Sequence, residues 1–189
     1  MRGALKARAL PRLWLLSDAR NDAVLETALR GWSAPVAFVY RHYHLAAGER
    51  RERFEALARI ARMEGHLVVL ASGAATALRW GADGYYASPE SLRPRRTGLV
   101  AVATAHDLRE IGRANRFGAD AVMLSPVFPT RSHPGARTLG PLRFRLLARR
   151  ARMPVIALGG MDRGRAERMK WERWAAIDGL STGLPRPDA

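Results

Sequence analysis

The chain has 189 residues and a mass of 20.9 kDa, which gives room for one domain and excludes a large multidomain assembly, because domains commonly hold about 100–200 residues. Hydrophobic residues make up 48% and charged residues 26%, a globular balance rather than that of a disordered chain. The net charge is +15, yet all of the 32 Lys and Arg except Lys6 and Lys170 are arginine. This bias is typical of a GC-rich genome, so the charge alone names no nucleic-acid partner.

The chain contains no cysteine, which excludes disulfides, thiolate zinc sites and a cysteine nucleophile. Charged residues interrupt its first ten positions, where a secretory signal would have an apolar run, and no stretch of about 18 apolar residues occurs. We therefore expect a cytoplasmic protein that does not enter a membrane.

Short apolar runs of strand length recur along the chain, at residues 13–16, 36–40, 67–70, 99–103, 121–124 and 155–158. Because these runs are continuous rather than alternating, they predict strands that are covered on both faces, as in a parallel sheet. Helical periodicity separates them, most clearly at residues 49–63, 107–117 and 142–152. The alternation predicts an α/β fold with right-handed crossovers.

Three fragments resemble one another, at residues 80–86, 117–123 and 175–180. In each, a small residue and an aspartate predict a turn that leads into a strand, which adds strands at 84–86 and 177–180 and makes eight. We therefore predict one domain over residues 1–189, a compact (β/α)8 barrel. Such barrels typically need about 250 residues. Only residues 181–189, with two prolines, follow the predicted eighth strand, so the last outer helix is predicted to be missing, or replaced by segment 1–10. An open doubly wound sheet is the alternative.

A stretch after the predicted sixth strand has the side chains of an anion site. Thr130, Arg131, Ser132 and His133 follow one another there, and hydroxyl and guanidinium groups bind phosphate oxygens well. In a barrel this loop would lie on the face that carries catalysis. The alternative is a plain surface loop stiffened by its prolines.

Glycines end the predicted seventh strand. Gly159 and Gly160 would let backbone N–H groups approach an anion closely, and barrels often bind phosphate after strands seven and eight. Ser181 and Thr182 follow the predicted eighth strand. Two glycines also suffice for an ordinary tight turn, so the argument rests on their register with the preceding loop.

The sequence resembles a known family, the thiamine phosphate synthases and the related thiazole tautomerases. The resemblance is carried by Gly-Ala-Asp at 118–120, Pro-Val-Phe-Pro-Thr at 126–130 with Ser132 after it, and Pro-Val-Ile-Ala-Leu-Gly-Gly-Met at 154–161. It implies a (β/α)8 barrel that joins a pyrimidine, carried as its pyrophosphate, to a thiazole phosphate. The resemblance also implies that pyrophosphate leaves with help from Mg²⁺, so cationic groups and a metal are the expected catalytic groups.

The resemblance also implies roles for individual residues. Arg41 and His133 are the expected catalytic cations. The thiazole phosphate is expected to bind Thr130, Ser132, Gly159, Gly160, Ser181 and Thr182. The pyrophosphate group is expected to bind Arg41, Thr104 and Arg131.

The metal ligands are where this sequence departs from the family. Ala71 and Ser72 stand where the family has an Asn-Asp pair, and Ser91 stands at the second acidic position, with Glu90 as the neighbouring alternative acid. Because a hard cation prefers carboxylate oxygens, the sequence assigns no metal ligands, and they are unknown. Positive charge is the other possible source of stabilisation, from Arg41, His42, His44, Arg131 and His133.

Other functions have weaker support. A thiazole tautomerase is disfavoured because Pro126 stands where that branch has its histidine base. A phosphate-binding protein without catalysis is the alternative that the missing acids favour. The arginine runs at 93–96 and 149–152 predict a solvated face rather than a nucleic-acid site. The expected partners are thus small phosphorylated molecules, with no specific nucleic acid and no membrane, and the oligomeric state is left open.

Overall fold

The structure, a computed structural model, describes residues 10–93, 98–131, 135 and 137–178. Eight parallel strands pair in chain order, and the eighth pairs with the first, so the sheet closes into a barrel. The strands are β1 (Leu13–Leu16), β2 (Ala37–Tyr40), β3 (Leu67–Leu70), β4 (Gly84–Ala87), β5 (Val100–Ala105), β6 (Ala121–Leu124), β7 (Val155–Ala157) and β8 (Trp174–Ala176). The closure confirms the predicted barrel and shows that the open-sheet alternative is wrong.

Helices follow most of the strands on the outside of the barrel. They are α1 (Leu25–Arg30), α2 (Ala47–Met63), α3 (Ala74–Arg79), α4 (Leu108–Phe117), α5 (Gly140–Ala148) and α6 (Arg163–Arg168), with 3-10 turns at Ala19–Val24 and Pro89–Leu92. Helix α5 begins and ends earlier than the predicted 142–152. Within the described residues no helix is long and apolar enough to cross a membrane. Residues 1–9 and 179–189, which bear on the prediction about the last outer helix, lie outside the described residues.

The barrel interior is filled by side chains of alternate strand residues. These include Trp14, Leu16, Ala37, Val39, Val69, Ala71, Val102, Ala121, Met123, Ile156 and Ala175. The residues between them face outward and form a second apolar cluster with the helices, which includes Phe38, Val68 and the buried Phe54 of α2. The period of two then continues past the last interior layer, which places Arg41 after β2 and Thr104 in β5 at the mouth of the barrel.

The eighth strand lies earlier than predicted. It spans Trp174–Ala176 rather than 177–180, so Asp178 follows the strand instead of leading into it. There its carboxylate accepts a bond from Arg20 Nη1 at 3.0 Å. The similarity of the three fragments misled at this point because it rests on small residues and an aspartate, which occur at either end of a strand.

The other two fragments do share one structure. Asp83 precedes β4, donates its N–H to the Val68 carbonyl at 2.8 Å and accepts the Val68 N–H on its carboxylate at 2.9 Å. Asp120 precedes β6 and makes the same pair of bonds with Ala101, at 2.8 and 2.9 Å. Each aspartate therefore binds the neighbouring strand at the amino end of the barrel through two hydrogen bonds, and we call this pair of bonds a clasp.

Removal of the Asp83 clasp is expected to destabilise the fold. The Asp83→Ala variant should lose about 1–2 kcal/mol of unfolding free energy, because the Val68 N–H loses its acceptor. The Asp83→Asn variant keeps a side-chain carbonyl oxygen and should lose less. Urea denaturation followed by circular dichroism measures both, and equal stability of Asp83→Ala and wild type would contradict the role of the clasp.

Candidate active site

Arg41 is the first residue of the site at the carboxyl end of β2. Its guanidinium lies 5.5 Å from the ring centre of Tyr43. Burial raises the pKa of Tyr86, which lines the barrel, well above its usual 10, and the nearby charge of Arg41 opposes that rise. Arg41 is thus a half-buried cation at the barrel mouth, and its role in binding an anion stays a prediction.

Asp18, after β1, lies close to the same cation. Burial acts to raise the pKa of this carboxyl, but the hydrogen bonds from Arg20 and the charges of Arg20 and Arg41 outweigh it and lower the pKa overall. Arg20 Nε donates to Asp18 Oδ1 at 2.8 Å and Arg20 Nη1 to Asp178. Arg20 therefore links the loops after β1 and β8, and it forms ion pairs with the carboxylates of Asp18 and Asp178.

His42 is buried beside the site and does not face it. Its side chain is inaccessible to solvent, and its ring stacks on Tyr40 with 4.7 Å between ring centres. Nδ1 lies 2.7 Å from Ser17 Oγ and Nε2 lies 2.8 Å from Asp22 Oδ1. The sequence-based expectation that His42 adds positive charge to the site is wrong, because both of its ring nitrogens are committed inside the fold.

The hydrogen-bond partners of His42 determine which of its ring nitrogens carries the hydrogen. A carboxylate only accepts, so Nε2 carries the hydrogen, and Nδ1 of the neutral ring accepts from the Ser17 hydroxyl. Burial lowers the pKa of His42 below its ordinary 6.5, although the bond to Asp22 acts in the other direction. His42 is therefore a neutral imidazole near pH 7.

Asp22 is in turn held by α2. Arg53 Nε donates to Asp22 Oδ1 at 2.9 Å, and Arg53 Nη1 donates to Glu26 at 2.7 Å. Burial opposes ionisation of Asp22, but the bonds from His42 and Arg53 lower its pKa overall. The network thus runs from β1 through β2 to α2 and joins three elements that the sequence separates.

This network predicts a pH dependence of stability. Since the pKa of His42 is lower in the folded chain than its ordinary 6.5, the unfolded chain binds more protons below that pH. The free energy of unfolding should therefore fall as the pH drops from 7 to about 5. The His42→Asn variant removes the titrating ring at a positive-φ position that Asn tolerates. Urea denaturation across this range should give a smaller slope for the variant, and an unchanged slope would contradict the prediction.

The loops after β6 and β7 form a second part of the site. The Val127 N–H donates to the Leu158 carbonyl at 2.9 Å and the Phe128 N–H to the Gly159 carbonyl at 3.0 Å. These bonds bring the loop that carries Thr130, partly buried, beside the two glycines. The structure therefore brings together Thr130, Gly159 and Gly160, as the sequence predicts.

Both glycines are required by the geometry. Gly159 has a φ of +95° and Gly160 one of +58°, in the region that favours glycine. A Cβ on Gly159 would lie 2.7 Å from Pro126 Cα, and one on Gly160 would lie 2.9 Å from Phe128 Cβ. The backbone of one loop thus packs directly on the other. The Gly160 carbonyl accepts from Arg165 Nη1, whose guanidinium covers the Phe128 ring.

The remaining predicted site residues have separate placements. Thr104 lies in β5, half-buried, and pairs in register with Met123. Arg131 is exposed at the edge of the described loop. Ser132, His133, Ser181 and Thr182 lie outside the described residues.

The described residues do not fit a magnesium site. Ala71 and Ser72 after β3 bring no carboxylate, and Ser91 bonds to Ser88 through the two hydroxyls at 3.0 Å. The alternative acid Glu90 pairs with Arg113 of α4, and its role as a replacement ligand stays a prediction. Among the described residues no group of three or more His, Cys, Asp or Glu could hold a metal ion.

Sequence reasoning missed the residues that support Arg41. Ser17 could have been noticed, because it follows β1 as Arg41 follows β2, and parallel strands end at one face. Arg50, whose Nε donates to the Arg41 carbonyl at 2.9 Å, has no such signal, since its helical segment reads as a solvent-facing charged run.

The comparisons with known proteins agree with one another. The chain is 32% identical over 184 residues to the bifunctional thiamine biosynthesis protein ThiM/ThiE of Symbiobacterium thermophilum, covering 92% of this chain but only 37% of that protein. It is 29% identical over 168 residues to the thiamine-phosphate synthase of Chloroflexus aurantiacus, with 82% of this chain and 76% of that protein covered.

The chain also matches a solved structure and a family model. A solved thiamine phosphate pyrophosphorylase from Pyrococcus furiosus matches with a TM-score of 0.76 at 22% identity, covering 92% of this chain and 89% of that one, which shows the shared fold. The family model described as thiamine monophosphate synthase matches residues 14–179, from β1 to beyond β8. The chain therefore belongs to the thiamine monophosphate synthase family.

Proposed function

We propose that the protein is a transferase of thiamine biosynthesis that couples hydroxymethylpyrimidine pyrophosphate to a thiazole phosphate and releases pyrophosphate. The observation that carries the proposal is the placement of two anion-receptive features on one barrel face, within a chain of this family. Arg41 lies at the end of β2, and Thr130 lies beside Gly159 and Gly160 at the ends of β6 and β7. Two separate anions, a diphosphate and a phosphate, are what the reaction brings to one site.

We assign one of the two anions to each of these features. The thiazole phosphate is assigned to the Gly159 and Gly160 backbone with Thr130, and to Ser132, Ser181 and Thr182. The diphosphate is assigned to Arg41, Thr104 and Arg131, with His133 as a further cation when it is protonated. Guanidinium groups suit phosphate oxygens because they donate two parallel charge-assisted hydrogen bonds.

The chemistry makes one bond and breaks one. The thiazole nitrogen forms a bond to the pyrimidine methylene carbon, and the carbon–oxygen bond to the diphosphate breaks with its electron pair leaving on oxygen. Negative charge therefore develops on the leaving group, and a fixed cation such as Arg41 stabilises that charge more than it stabilises the bound substrate. No step requires a proton from His42, which is buried away from the site.

Mg²⁺ remains a prediction of the family resemblance. The described residues offer no group of three or more His, Cys, Asp or Glu that could hold it. The expected partners are the two phosphorylated substrates, and a cytoplasmic location and a single domain over residues 1–189 are part of the same proposal.

The decisive experiment is a coupled synthesis assay with the full chain and both substrates. Thiamine phosphate is measured by mass spectrometry, in parallel with Mg²⁺ and with a chelator. We expect product formation that the Thr130→Val variant reduces, since this change removes a hydroxyl and keeps the side-chain shape. Absence of product under conditions where a known synthase works would overturn the proposal. Calorimetric binding of thiazole phosphate without turnover would indicate a non-catalytic phosphate-binding protein instead.

A further inference from the structure

Side chains hold both backbone polar groups of Arg41, its N–H and its carbonyl. Its N–H donates to Ser17 Oγ at 2.7 Å, and its carbonyl accepts from Arg50 Nε at 2.9 Å. The register between β1 and β2 ends at the pair of Leu16 and Val39, and that between β2 and β3 ends at Tyr40 and Leu70. Side chains therefore take over from the sheet at the residue where the chain enters the site.

Ser17 is itself fixed from two directions. Its N–H donates to the Val39 carbonyl at 2.9 Å, and its hydroxyl lies 2.7 Å from His42 Nδ1. Because neutral His42 accepts the hydroxyl proton at Nδ1, the oxygen of Ser17 is left free to accept from Arg41. The direction of the proton in the buried network thus sets the serine as an acceptor for the Arg41 peptide.

Arg50 is fixed as well. Its Nη2 donates to the Ala71 carbonyl at 2.9 Å, so one guanidinium ties the ends of β2 and β3 together. The same guanidinium lies 5.5 Å from the ring centres of Tyr43 and Trp80. The backbone carbonyl of Arg50 accepts a hydrogen bond from the Tyr40 hydroxyl at 2.8 Å. A planar fork with this many contacts has little freedom to move.

The residue that follows Arg41 shows that this geometry is imposed. His42 has a φ of +35°, a conformation that is unfavourable for a non-glycine residue and persists only where the surroundings determine it. Here the two ring bonds, to Ser17 and Asp22, hold it. The chain therefore turns sharply just after Arg41 and cannot relax without breaking these bonds.

We propose that Ser17 and Arg50 are positioning residues that hold the Arg41 peptide at both ends and so aim its guanidinium at the diphosphate of the substrate. The inference rests on the proposed function, since it takes the ligand of Arg41 to be that diphosphate. Misplacement of a catalytic group by about 1 Å can cost about a hundredfold in rate. Neither residue needs to touch the substrate for its loss to be felt.

The first test is binding of inorganic pyrophosphate to the full chain by calorimetry. Ser17→Ala should weaken binding about tenfold, as expected for a lost buried hydrogen bond. Arg50→Lys keeps the charge but not the planar fork, and should weaken it about three- to tenfold, less than Arg50→Ala. Ser33→Ala and Arg51→Lys, both exposed positions, are the matched controls and should bind like wild type.

The second test separates positioning from general damage. In steady-state synthesis, Ser17→Ala and Arg50→Lys should raise KM for the pyrimidine diphosphate substrate and leave KM for thiazole phosphate within about twofold. In the Arg41→Ala background the same changes should cost little more in kcat/KM, because they act through Arg41. If Ser17→Ala does not fold, the Arg50 variants carry both measurements.

The outcomes are distinguishable. Full additivity with Arg41→Ala, or unchanged pyrophosphate affinity in Ser17→Ala and Arg50→Ala while Arg41→Ala loses it, overturns the positioning role and leaves the proposed function standing. Failure of the wild-type chain to bind pyrophosphate overturns the proposed diphosphate site, and the positioning role with it.

Discussion

Arg41→Ala should lower kcat/KM for the diphosphate substrate about a hundredfold. Each charge-assisted bond to an ionised group is worth about 1.5–3 kcal/mol, and loss of one preorganised donor to developing charge commonly costs about 10²–10³ in rate. Arg41→Lys should lose less, about tenfold, because a lysine supplies the charge without the paired donors. Steady-state kinetics with each substrate varied in turn measures the effect.

The Arg41 prediction has a matched control at the other end of the barrel. Arg12 precedes β1, is exposed and pairs with Glu172 at 3.8 Å, so Arg12→Ala should leave kcat/KM unchanged. Equal losses in the two variants would point to a general effect of net charge. Wild-type kinetics in Arg41→Ala would contradict the assignment of the diphosphate to β2.

Gly159→Ala should disrupt the phosphate side of the site. The added Cβ would meet Pro126 Cα at 2.7 Å, at a φ of +95°, and the clash is with backbone that cannot swing aside. We expect a loss of about 2–4 kcal/mol in unfolding free energy, from strain at a special φ together with overpacking. Affinity for thiazole phosphate should fall more than about tenfold, since the two loops must separate.

Gly112→Ala is the control for that substitution. Gly112 lies in α4 with no atom within 4 Å of an added Cβ, and alanine favours a helix over glycine by about 1 kcal/mol. Thermal denaturation should therefore show Gly112→Ala to be as stable as wild type or more so, and calorimetry should show unchanged phosphate binding. A Gly159→Ala variant with wild-type stability and affinity would contradict the close packing of the loops.

Most strands could be predicted from the sequence because burial on both faces leaves a continuous apolar run. The run at 67–70, for example, matches β3. The eighth strand is predicted too late in the chain. Residues 174–177 are apolar, but the likeness of 175–180 to the fragments at 80–86 and 117–123 assigns Asp178 to a turn before a strand rather than after it. Its position is set by pairing with Leu13–Leu15 across the closure of the barrel, a contact between distant parts of the chain.

The site was predictable to a similar degree. Arg41 and the two glycines follow strand ends, and position relative to a strand is enough to place them on one face. The burial of His42 was not predictable, because it depends on Ser17 and Asp22, which lie far from it in sequence. Arg50 was missed for the same reason, since its partners are carbonyl groups at the ends of two strands.

The aspartate clasps have a practical consequence for engineering. Asp83 and Asp120 bind neighbouring strands at the amino end of the barrel, whereas Arg41 and the glycine loop lie at the carboxyl end. Thermostability and substrate range can therefore be varied in separate libraries, one confined to each end. Variants stabilised by substitutions at the amino end should then tolerate the destabilising changes that a new specificity at the carboxyl end often brings.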